Sequence, residues 1–150
     1  MRTTLLSLVI LLTSCASLAP LTEGDKNQLI ETALKHAIEE RSRCFDCDIK
    51  NIFISANGLA LDSRFISRFS YDGIDVLPLA ESSANCETGI VLKGTKSRGY
   101  AFTVLEIKHL SNVRAEVKWG YWYSCKKYAY KYTLFVKDSH GWHFDVAKSE

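Results

Sequence analysis

The chain has 150 residues, with 19 Lys and Arg set against 17 Asp and Glu for a formal net charge of +2. No basic stripe runs through it, so nucleic acid is excluded as an expected partner. Two prolines and eight glycines leave little room for low-complexity segments, and no internal repeat is visible.

The amino end reads as an address. Arg2 is the one charge before an apolar run, Leu5 to Leu12, interrupted only by Ser7. A run this short falls well below the roughly 20 residues that span a hydrocarbon core but suits the apolar region of a secretory signal. It ends in Leu12-Thr13-Ser14-Cys15, which closely resembles the lipobox of bacterial lipoproteins. The resemblance implies that residues 1–14 are a signal peptide and that Cys15 is lipidated and becomes the first mature residue. It also implies attachment to a membrane through that lipid, which two or more acyl chains make stable. Ala16, where an aspartate would imply retention at the inner membrane, points to the outer membrane facing the periplasm. Residues 15–24 then form a lipidated tether whose extended reach is roughly 30 Å, and 25–150 form a single domain.

Export places the remaining cysteines, Cys44, Cys47, Cys86 and Cys125, in an oxidising compartment where an even number reads as disulfides. Three pairings are open; Cys44–Cys47 with Cys86–Cys125 is favoured here. The Cys44-Phe45-Asp46-Cys47 spacing also fits a redox motif. However, Cys44 follows a predicted helix, at the negative end of its dipole, and Asp46 and Asp48 disfavour a thiolate.

The first predicted element is a helix over 25–43. Asp25 with Gln28 would form its capping box, and Leu29, Ile30, Ala33, Leu34, Ala37 and Ile38 would form one apolar stripe. Glu31 precedes Lys35 by four residues on the outer face. His36 lies opposite the stripe and is expected in solvent. Ile49 to Ser55 predicts a strand ending in an Asn57-Gly58 turn. A short helix runs from Asp62 or Ser63 to Phe69, and Ile74 to Leu79 forms a strand that Pro78 pushes to an edge. Glu81 to Glu87 is a polar loop. Strands at 90–93 and 100–108 flank a basic loop.

In 113–123 the odd positions Val113, Ala115, Val117, Trp119, Tyr121 and Tyr123 alternate with polar neighbours. In 128–136 the even positions Tyr128, Tyr130, Tyr132, Leu134 and Val136 do the same. A four-residue loop over 124–127 pairs Tyr123 with Tyr128 and Trp119 with Tyr132, so every predicted core position meets another. The opposite face would carry Lys118, Trp122, Lys131 and Phe135, a possible binding face of aromatics amid lysines. Trp142, Phe144 and Val146 complete a last apolar strand.

The order predicts an α+β fold: a long amino-terminal helix packed on a curved antiparallel sheet of about six strands, with a short second helix. A leading helix, long hairpins and Gly141-Trp142-His143-Phe144 resemble the cystatin-like and nuclear-transport-factor-like cone folds. Together with Phe65-Ile66-Ser67-Arg68-Phe69 and Val76-Leu77-Pro78, the pattern is also similar to small exported bacterial proteins. These motifs report packing and speak to fold alone.

The search for chemistry yields little. No GxSxG elbow or phosphate-binding glycine loop is present. His140 and His143 could offer two metal ligands, short of the three that catalytic zinc uses, so neither metal nor cofactor is expected. Glu106 interrupts an apolar strand; it is either a base inside the cone or an outward residue beside a β-bulge. The expectation is therefore a non-enzymatic, membrane-anchored envelope lipoprotein that binds an envelope protein or cell-wall component. One alternative is an inhibitor or immunity protein against an envelope-attacking enzyme, acting through the basic loop Lys93 to Arg98. Another is a small-ligand carrier or enzyme using the cone interior.

Overall fold

A long helix, α1 (Glu23–Ser42), leads the fold in a computed structural model that describes residues 18–42, 49–57, 61–124 and 127–146. The expected stripe is its buried face: Leu29, Ile30, Ala33, Leu34, Ala37 and Ile38 are all buried. The cap lies earlier than expected. The Asp25 backbone N–H donates to Thr22 Oγ1 (3.1 Å), whose hydroxyl donates to Asp25 Oδ2 (3.0 Å), so Thr22 is the N-cap and the Asp25 carboxylate fixes its hydroxyl. Glu23 and Gly24, assigned above to the tether, are therefore helical.

β1 (Asn51–Ala56) follows, then α2 (Ser63–Ile66), a single turn capped by Asp62 Oδ1, which accepts from the Phe65 N–H at 2.7 Å. β2 (Asp75–Pro78) is an edge strand, as Pro78 predicts. The predicted polar loop is in fact β3 (Ser82–Asn85), hairpin partner of β4 (Gly89–Leu92). Three long strands carry the sheet: β5 (Arg98–Ser111), β6 (Arg114–Ser124) and β7 (Lys127–Asp138), followed by the short β8 (Gly141–Phe144).

The fold is α+β, with the long helix and the short second helix that the sequence predicts. The sheet has eight strands in the order β2-β1-β5-β6-β7-β8, with β3–β4 attached to β5. It is mixed where a wholly antiparallel sheet was expected, because β1 runs parallel to both β2 and β5. Bulges between Val104 and Glu106 and between His109 and Ser111 interrupt the β5–β6 ladder. Such insertions bend strands, and the sheet curls into a half-barrel. α1 fills the concave side against Phe102, Val117, Trp119, Phe135 and Trp142. A second, smaller core of Phe53, Ile90 and Ala101 lies on the outer face, with Leu77, Leu79, Leu92 and Trp122 packed against it.

The β6–β7 register departs from expectation by one residue. Ser124 pairs with Lys127, as the predicted loop requires, but a bulge at Tyr123 then shifts the ladder so that Trp122 faces Tyr128 and Ala115 faces Phe135. β6 keeps its predicted core face, with Ala115, Val117 and Trp119 buried. β7 turns over. Phe135 and Thr133 go inside, and Tyr128, Tyr130 and Tyr132 go out, with exposures of 50%, 54% and 55%. The physical reason lies in the hydroxyls. Three buried phenols would each need a partner or cost roughly 1–3 kcal/mol, whereas Phe135 carries no polar atom. Val113 falls in the β5–β6 turn and is exposed, as is Val146, so neither joins the core.

Inside, the Trp119 indole N–H donates to Thr133 Oγ1 at 2.8 Å. Thr133→Val keeps the shape and strands that N–H in the core. The expected loss is about 1–3 kcal/mol, read from urea denaturation; an unchanged midpoint would show that the bond contributes nothing net.

Candidate binding face

The outer face of β5, β6 and β7 carries an aromatic row. Trp122 and Tyr128 have ring centroids 5.9 Å apart, Tyr128 and Tyr130 6.2 Å, and Tyr130 and Tyr132 6.1 Å. Alternate residues of one strand point to one face, which is what puts three tyrosines in line. Gly120, opposite Tyr130, gives Tyr128 its seat: a Cβ at Gly120 would lie 2.7 Å from the Tyr128 hydroxyl. Lys118 lies over the Tyr130 ring (4.6 Å) and near that of Tyr132 (5.4 Å). Hydrogen bonding to the Tyr132 hydroxyl is the chief reason its ammonium keeps its charge above the usual lysine range.

The row ends at a depression of about 420 Å³ between the β3–β4 hairpin and β7. Leu79, Leu105, Trp122 and Tyr128 line it together with Ser55 and Thr103, whose hydroxyls bond to each other at 2.8 Å. Its size lies within the usual range for small-ligand sites.

Of the predicted face, the structure keeps Trp122 and Lys118 together and removes the other two. Phe135 is fully buried beneath α1. Lys131 points to the same side and forms an ion pair with Glu40 of α1. Both corrections follow from the bulge at Tyr123. The tyrosines that take their place were assigned to the core; their hydroxyls, and Gly120 opposite Tyr130, were the signal that could have placed them outside.

Glu106 is exposed and sits opposite Lys118 in the ladder, directly after the β5 bulge. It is thus an outward residue and not a base inside the cone. His140 is exposed, and His143 Nδ1 lies 3.7 Å from Asp138 Oδ2. Among the described residues no three His, Cys, Asp or Glu side chains gather as a metal site. Cys15, Cys44, Cys47 and Cys125, and the whole of residues 1–14, lie outside the described residues, so of the cysteines only Cys86 is placed.

A second groove, of about 380 Å³, runs between α1 and β8. His36, expected in solvent, is half-buried there. It stacks on Phe144 at 4.2 Å and meets Trp119 and Phe135 edge-on. Burial lowers its pKa below 6.5, against the opposing pull of Glu40 and Glu39 and with a further lowering by Lys131. The folded state therefore binds a proton less readily than the unfolded state. Stability should be fully present above pH 6.5 and fall as pH drops from there towards the folded pKa. His36→Phe should remove that step, as checked by melting temperature between pH 7.5 and 5; an identical pH dependence in both proteins would refute the assignment.

No protein family, no curated protein and no solved structure matches this chain. Among the described residues, no helix is long and apolar enough to cross a membrane.

Proposed function

We propose that the chain is a membrane-anchored bacterial envelope lipoprotein that works as a non-enzymatic binding module, with the outer aromatic row as its contact surface. The observation that carries the reading is the row itself: three tyrosines of one strand stand half-exposed where polar residues would serve solubility better. Tyrosine joins a large apolar ring to a polar tip, and it is enriched at recognition surfaces for that reason. The lipobox at 12–15 supplies the address. The concave side, filled by α1 and the core side chains, leaves less support for a carrier or an enzyme of the cone interior.

The proposed Cys86–Cys125 disulfide is supported by a close approach. A Cβ at Gly89 would lie 2.5 Å from the Tyr123 carbonyl oxygen, so the turn that holds Cys86 rests on the end of β6, two residues before Cys125.

Two measurements on protein isolated from its native membrane test the proposal. Mass spectrometry without reduction should find the acyl-modified Cys15 as first residue and a peptide joining Cys86 to Cys125. A photo-crosslinking amino acid at Tyr130 or Tyr132 should capture an envelope component that the same probe at Arg64, exposed on α2, does not. An unmodified Cys15 would remove the anchor, and equal capture at all three positions would remove the face.

A further inference from the structure

The chemistry of the outer face says what kind of component it suits, provided that it is the contact surface argued above. We propose that it binds a neutral, extended glycan strand, whose sugar rings stack along Tyr132, Tyr130, Tyr128 and Trp122.

Three observations point there. The first is spacing. Successive rings stand 5.9 to 6.2 Å apart, somewhat longer than the sugar-to-sugar repeat of an extended β-linked chain, so neighbouring sugars can meet neighbouring rings with a register that drifts along the row. The apolar C–H face of a pyranose packs on an aromatic ring, and the phenol hydroxyls can serve the equatorial hydroxyls at its edge. Neighbouring ring planes differ by 42° to 87°; Tyr128 is seated over Gly120, and the exposed Tyr130 and Tyr132 would turn their faces to a ligand, which such side chains do within nanoseconds.

The second is charge. The ladder sets Glu106 opposite Lys118 and Lys108 opposite Glu116. Cations and anions thus alternate along the ladder, which favours no polyanion, acidic peptide or anionic bilayer, and Lys118, which lies over the Tyr130 and Tyr132 rings, would move aside for a sugar. A neutral ligand complements such a face.

The third is the depression at the end of the row. Its walls are Trp122, Tyr128, Leu79 and Leu105, and its floor is the Ser55–Thr103 hydroxyl pair. A small apolar substituent bearing one polar group, such as the N-acetyl group of an amino sugar, matches that lining.

The test uses the full chain in detergent micelles and a hexamer of β-1,4-linked N-acetylglucosamine, followed by saturation-transfer NMR and calorimetry. Binding should be weak, with a Kd on the order of 0.1–1 mM, and saturation should pass from aromatic protons to the sugar ring protons. Tyr130→Ser should weaken binding about tenfold, the loss of one stack and its buried area. Tyr130→Ser with Tyr132→Ser should abolish it while the melting temperature stays within a few degrees. Affinity should hold when salt rises from ~0.05 to ~0.5 M, because no charge pair is screened.

No binding at ~5 mM hexamer, or binding that the double variant retains, would overturn the proposal. So would salt-sensitive binding to phosphatidylglycerol vesicles with none to the sugar, which would make the face a membrane contact. If the Tyr130 crosslink to an envelope protein persists while the hexamer fails to bind, the binding-module reading stands and the glycan is the wrong ligand. If both fail, both readings fall.

Discussion

Phe135→Ala should lower unfolding free energy by about 3–5 kcal/mol, the usual cost of emptying an aromatic site in a packed core. Phe135 is fully buried and touches the His36 ring edge-on at 6.0 Å and Phe144 at 6.4 Å. Its loss opens a void where α1, β7 and β8 meet. Tyr130→Ala, five residues earlier on the opposite face, should cost under about 1 kcal/mol. Chemical denaturation of both variants measures the contrast. It is also the sharpest check of the β6–β7 register, since the unbulged pairing reverses the order: Tyr130 would then be the core residue and Phe135 the exposed one.

Gly99→Ala is expected to cost about 3 kcal/mol, at the upper end for overpacking. Gly99 pairs with Asn51 in the parallel β1–β5 ladder. A Cβ there would lie 2.6 Å from the Asn51 carbonyl oxygen and 2.6 Å from Phe53 Cε2. Neither can yield. The Asn51 side chain is tied to Ser97 Oγ (2.7 Å) and the Arg98 carbonyl (3.1 Å), and Phe53 fills the outer core. Gly24→Ala, in the first turn of α1 with its nearest neighbour 3.9 Å away, is the control and should leave stability unchanged or slightly raised. Equal effects of the two substitutions, read from urea midpoints, would mean that β1 and β5 do not approach as closely as this.

The helix was legible in the sequence because its stripe has no competing reading: all six predicted apolar positions of α1 are buried. The edge position of β2 followed from one proline. The parallel pairing of β1 was not legible, because alternation marks the faces of a strand and is silent on the direction of its neighbour. β3 was hidden by composition. Ser82, Ser83 and Asn85 read as loop, and β4 beside them supplies the backbone partners that local propensity does not.

The candidate face was half legible. Trp122 and Lys118 were placed on it because β6 alternates cleanly. β7 alternates too, but between tyrosines and a set containing Phe135, and hydrophobicity alone cannot say which set is inside. A bulge of one residue at Tyr123 decides it, and nothing in Tyr123 itself announces a bulge. His36 was misplaced for a related reason. A helical wheel locates the stripe but does not show that β8 wraps far enough round to cover the flank of the helix.

The docking of α1 has a kinetic consequence. The helix is the first element made, yet much of what holds it is made last. Thr32 Oγ1, which donates to the Gln28 carbonyl (2.9 Å), lies 3.3 Å from the Trp142 carbonyl, Asp25 pairs with Lys137, and His36 stacks on Phe144. More than a hundred residues separate these partners in the chain, and closing so long a loop is slow. The oily stripe can meet Phe102, Val117 and Trp119 once β5 and β6 exist, but the flank of the helix stays uncovered until the final hairpin arrives, which leaves the newborn chain open to aggregation for longer. A ribosome that stops short of Trp142 would release a polypeptide that has made nearly all of its strands and still lacks the clasp that closes over one flank of its helix.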